Sequence, residues 1–123
     1  MKILRCKKCG NTTFVLKDSG VAMICCGEEM KELNPLTRDG ALEKHVPVYE
    51  LDGKIVNITI GSVLHPMEEN HYIEWIILET NLHTYVKQLT YTDEPKATFV
   101  LTEDEKILNV YEYCNLHGFW KSE

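Results

Sequence analysis

The sequence predicts an all-β protein in two parts, a small metal-binding module over residues 1–36 and an antiparallel sandwich or barrel of the immunoglobulin type over residues 37–123. Three observations predict it. Four of the five cysteines fall before residue 27, where too few residues are available to build a core. The remainder is a series of short β-prone runs separated by turn signals, and no segment carries a convincing helical period.

The first part opens on Cys6-Lys7-Lys8-Cys9-Gly10, a metal-knuckle pattern in which the glycine relieves crowding where backbone N–H groups turn toward sulfur. Strands are expected at 12–16 and 21–24, parted by the turn-forming Asp18-Ser19-Gly20. The second cysteine pair, Cys25-Cys26-Gly27, is adjacent, so a tetrahedron built from it should be distorted. A reducing compartment disfavours two disulfides here, and four thiolates on one metal fit better. Spacing alone separates neither zinc from iron nor a structural ribbon from a redox centre. A unit of this size takes most of its folding free energy from the metal.

Residues 34–40, bracketed by Pro35 and Gly40, read as the linker. Beyond it, strands are expected at 46–51 and 54–60, joined through the hairpin dipeptide Asp52-Gly53. A largely buried strand is expected at 71–80, and others at 84–90, 97–101 and 106–113.

Composition excludes several classes of function. A formal net charge of −6, with Lys7-Lys8 the only adjoining basic pair, argues against nucleic acid and against an anionic membrane surface as partners. No apolar run is long enough to cross a bilayer and the opening residues lack a signal-peptide pattern, so the cytoplasm is the expected compartment. If the substrate is a small anion, its attraction must come from a metal ion or a single lysine at the site.

The residues that carry chemistry gather at element boundaries. Cys114 and His117, separated by two residues, can turn toward one point, and Cys114 is the only cysteine after residue 26. His45 precedes the first strand of the second part, His65 stands before Pro66 at a strand end, and His71 opens the long buried strand. Any one histidine is more often a surface or hydrogen-bonded residue, and His83 is left with that reading. For the other four, the joint pattern with a lone cysteine outweighs it.

Cys6-x2-Cys9 with Cys25-Cys26-Gly27-Glu28-Glu29-Met30, Glu43-Lys44-His45-Val46-Pro47, His65-Pro66-Met67-x3-His71-x3-Trp75 and Cys114-Asn115-x-His117-Gly118-x-Trp120 together resemble the desulfoferrodoxins, two-iron superoxide reductases. The similarity spans the chain with its motifs in order. The first part resembles desulforedoxin, and the second resembles neelaredoxin, which implies a seven-stranded immunoglobulin-like barrel. The resemblance implies a rubredoxin-like iron on Cys6, Cys9, Cys25 and Cys26, and a second iron with His45, His65, His71 and His117 equatorial and Cys114 axial. It further implies Glu43 as the sixth ligand of the ferric form, Lys44 beside the open position, superoxide as substrate, an electron donor such as rubredoxin, and a homodimer.

Chemistry supports that reading from below. Five protein ligands exceed the four of a structural zinc site, and a mixed nitrogen and sulfur set suits a redox metal with one vacant position. A blue-copper carrier needs a weak axial ligand such as Met soon after the last histidine, and only residues 118–123 remain. A zinc-ribbon binding module leaves Cys114 and the histidines unexplained. An electron-transfer protein without reductase activity and a superoxide dismutase are the rivals nearest in chemistry.

Overall fold

The computed structural model describes residues 1–39 and 44–122, so Glu43 lies outside the described residues. The chain separates into two compact units, Met1–Asn34 and Pro35–Glu123. All the regular structure described is strand.

In the first unit, β1 (Ile3–Arg5) pairs antiparallel with β2 (Thr12–Phe14) on one side and β5 (Lys31–Glu32) on the other. A second ribbon joins β3 (Ile24–Cys25) to β4 (Glu28–Glu29). Ile3, Leu4 and Cys6 are the buried residues of this unit. Only Ile24 of the run expected as a strand at 21–24 enters a ladder. Val21 is 76% exposed and Leu16 is 89% exposed, because so small a unit has no second layer to cover them.

The second unit holds seven strands among the described residues: β6 (Pro47–Asp52), β7 (Ile55–Ile60), β8 (Ile73–Thr80), β9 (Thr84–Gln88), β10 (Lys96–Val100), β11 (Ile107–Cys114) and β12 (Gly118–Lys121). They form two antiparallel sheets, ordered β10-β7-β6 and β12-β11-β8-β9. Val56, Ile58 and Ile60 alternate inward from β7 and meet Ile76 and Leu78 of β8 and Val110 of β11 in one buried cluster. This is the sandwich packing that period-2 patterning demands.

β8 is buried on both faces. Trp75 and Ile77 point away from that cluster, and Trp75 lies against Tyr113 and Phe119 at centroid distances of 5.6 and 5.5 Å. β1, β4, β5 and β12 are not announced by the sequence. Each has two to four residues, too few to show a period, and is defined by the neighbour it pairs with.

Candidate metal centres

Cys6 follows β1, Cys9 lies in the turn after it, and Cys25 ends β3. The knuckle closes through Gly10 N–H to Cys6 O at 3.0 Å and Cys6 N–H to Asn11 O at 2.9 Å. Adjacent cysteines reach one point because Cys26 and Gly27 are the two central residues of the β3–β4 hairpin, with φ of 52° and 78°. Such a turn requires the left-handed region at both positions, and Cys26 bears the cost that Gly27 does not.

The four sulfurs lie within 4.8 Å of one another, with Cys9 and Cys25 3.5 Å apart. Thiolates bonded at about 2.3 Å to one tetrahedral ion sit roughly 3.8 Å apart, so the donor set fits a single metal. Asn11 donates its backbone N–H to Cys9 Sγ at 3.4 Å and its side-chain amide to Cys25 Sγ at 3.5 Å. The backbone N–H of Cys9 holds the Cys6 thiol down to about 6, whereas the neighbouring thiols, Cys9 foremost, push Cys26 up to about 12. Crowding several thiolates without a cation is unfavourable, and a metal relieves it.

In the second unit, His45, His65, Cys114 and His117 bring one donor atom each to within 4.8 Å of the others. The His71 ring closes the set, its centroid 4.9 Å from His65 and 5.3 Å from His117, while His45 lies 4.7 Å from His65 and 4.9 Å from His117. Four imidazoles thus stand in a closed circuit. Cys114 is fully buried beside them, Sγ 3.8 Å from His117 Nδ1.

Bonds of about 2.0–2.3 Å place donors on opposite sides of one ion up to roughly 4.5 Å apart, so small inward movements seat a metal among these residues. His45, His65 and Cys114 are buried and His117 is exposed, so the cluster is closed on its sulfur side and reaches solvent at its rim.

Local bonding explains how each ligand candidate is held. His65 follows a turn closed by its own N–H to Ile60 O at 3.0 Å. Its Nδ1 lies 2.7 Å from the Pro66 carbonyl, which can only accept, so Nδ1 carries the proton and Nε2 is left to bind metal. The His71 and Cys114 segments are stapled by Asn115, which accepts from Tyr72 N–H at 2.9 Å and donates to Asn70 O at 3.0 Å. Asp39 Oδ1 accepts from the N–H groups of His45 and, at 2.9 Å, Val46.

The carboxylate of Glu112, fully buried, lies 3.9 Å from His45 Nδ1. Lys44 is half-buried just before His45. His83 joins neither cluster; its Nδ1 meets Glu105 at 2.9 Å. Sequence reasoning missed Asp39, Asn115 and Glu112, because only the fold shows which segments their side chains bridge.

A β-sandwich with a nitrogen and sulfur cluster at strand ends, joined in one chain to a four-thiol module, defines a two-centre non-haem metalloprotein. Comparison narrows the class. The family model described as desulfoferrodoxin matches residues 37–123, and that for the desulfoferrodoxin N-terminal domain matches residues 1–33. The chain is 48% identical to a desulfoferrodoxin of Nitratidesulfovibrio vulgaris over 99% of this chain and 95% of that one. It is 45% identical to a desulfoferrodoxin of Syntrophotalea carbinolica over 100% and 96% of the two chains. The crystal structure of the superoxide reductase from Treponema pallidum superposes with a TM-score of 0.85 at 34% identity, covering 99% of this chain and 97% of that one. The chain belongs to the desulfoferrodoxin family.

Proposed function

We propose that this protein is a superoxide reductase, which combines superoxide with one electron and two protons to give hydrogen peroxide. The observation that carries the reading is the convergence of four imidazoles and one buried thiol at the solvent-reaching end of the sandwich. The chain supplies two iron sites, residues 1–36 a four-cysteine centre and residues 37–123 the catalytic one.

His45, His65, His71, His117 and Cys114 would hold the catalytic iron, which when bound and reduced would supply the single electron that superoxide takes up. The circuit of four imidazoles reaches solvent at His117, the side from which a small anion would enter. Cys114, fully buried beside them, would contribute electron density through sulfur. Lys44 draws the anionic substrate toward the rim. Glu43 would be a further ligand when that iron is oxidised.

Cys6, Cys9, Cys25 and Cys26 hold an auxiliary iron, with zinc as the alternative metal for that set. An external donor such as rubredoxin returns the electron, the working form is a homodimer, and the compartment is the cytoplasm.

Two measurements test this. With a supplied reductant, each superoxide should consume one electron and yield peroxide; oxygen evolution as the main path would make the protein a dismutase instead. Metal counting with electron paramagnetic resonance should give two distinct high-spin ferric signals, of which Cys114→Ser alters only one. Zinc or copper at the second centre would end the proposal.

A further inference from the structure

The motif that begins at Cys114 ends on a tryptophan to which the chemistry above gives no task. Trp120 is 7% exposed, and its indole lies face to face on the His45 imidazole, centroids 4.7 Å apart and planes inclined by 16°. Its Nε1–H donates to the carbonyl of His117 at 3.2 Å. Directly across the ladder on β11 stands Glu112, whose carboxylate approaches His45 from its Nδ1 edge.

The backbone around Trp120 is held from the other side as well. Leu36 N–H donates to Phe119 O at 2.9 Å, and Lys121 N–H donates to Leu36 O at 2.8 Å. The indole is therefore mounted on a strand bonded along both edges, rather than on a loop.

We propose that Trp120 is a positioning residue for the second metal, one side chain that sets the plane of His45 through its ring face and the turn of His117 through its N–H. The inference rests on the reading of those two histidines as ligands. They arrive from distant parts of the chain, and Trp120 touches both. A histidine ring rotates broadly about its second side-chain torsion, and a parallel indole restricts that rotation to orientations that keep the rings stacked. An imidazole bonded to a cation is poorer in π density than the free ring, so the electron-rich indole face holds it more strongly. Trp120 thereby favours the metal-loaded protein over the metal-free one.

Trp120→Leu removes both the ring face and the donor, and Trp120→Phe keeps a ring face. The test is chelator competition for iron at the second centre of the purified holoprotein, read with the sulfur-to-iron absorption band and the ferric resonance signal. Amide protection of β7, β8 and β11 in the same sample, followed by hydrogen exchange, reports whether the second unit is folded. Trp120→Leu should hold iron roughly 10–100-fold more weakly, as expected when an outer support of a ligand is lost. Its ferric signal should also change in symmetry. Trp120→Phe should lose roughly 2–10-fold, the weight of one hydrogen bond, and it keeps the test open if the leucine variant does not fold.

Iron retention and spectra equal to wild type in both variants would overturn the role of Trp120 alone. Equal loss of thermal stability with and without metal would also overturn it, reducing the residue to packing. A wild-type protein that holds no metal at this centre would bring down the ligand assignment together with it.

Discussion

On a chain of formal net charge −6, an anion is repelled at long range, and Lys44 is the cation that directly precedes a candidate ligand of the second centre. Lys44→Ala should slow the second-order reaction with superoxide several-fold at low ionic strength while leaving the iron spectra intact. Stopped-flow rates that match wild type at low salt would remove Lys44 from the mechanism. Glu105 presents a different kind of charge, buried at the ends of β8 and β9. Burial alone would raise its pKa, but the Thr80 hydroxyl, the Thr102 N–H, the Tyr85 hydroxyl and His83 outweigh burial and hold the carboxyl below its ordinary range. A carboxyl depressed in the folded state adds stability that is complete above its unfolded pKa and is lost as pH falls below that value. Between about pH 5 and 2, Glu105→Gln should therefore flatten the fall in denaturation midpoint that wild type shows. The metal-binding residue types were legible at this scale, since Cys and His announce their chemistry. Asp39 and Asn115 were not, because they act by capping backbone groups, and countless surface residues of the same type do nothing.

Elements are positioned by the turns between them. Gly61, after β7, has φ of +82°, and a Cβ there would meet the carbonyl of Val63 and lie 2.5 Å from that of Lys44. Both neighbours are backbone and neither can swing aside. Gly61→Ala should cost more than about 2 kcal/mol in equilibrium denaturation. It should also perturb the spectrum of the second centre, because the displaced segment carries Lys44 and His45. An unchanged denaturation midpoint would show that the segment can shift freely. β7 and β8 were readable from their patterns, as alternation in one and a nearly continuous apolar run in the other. β12 was not, because Gly118–Lys121 is too short for a period and owes its existence to pairing with β11. The expected hairpin dipeptide Asp52-Gly53 falls one residue early: Asp52 pairs with Ile55, and Gly53 and Lys54 form the loop.

Over the whole molecule, the two units are held together by different physics. In Met1–Asn34 the buried residues are Ile3, Leu4 and Cys6, and several large apolar side chains are exposed, among them Leu16, Val21 and Ile24. A metal bound by its four sulfurs would supply what burial does not. In Pro35–Glu123 a continuous apolar cluster around Ile58, Ile76, Leu78 and Val110 is buried between the two sheets. Exhaustive chelation should thus abolish amide protection in the first unit while the strands of the second keep theirs, as followed by hydrogen exchange. Protection persisting in residues 3–14 after metal removal would contradict this division.

By itself, the sequence determined the all-β class, the two groups of sulfur and nitrogen donors, and through their order the family, because these depend on residue type and spacing along the chain. The tertiary structure alone decided that His45, His65, His71, Cys114 and His117 converge. It also decided that Trp120, Asn115 and Asp39 stand behind them and that Gly61 underlies Lys44. Convergence depends on pairing registers and turn geometry between segments far apart in the chain, which no local pattern of residues encodes.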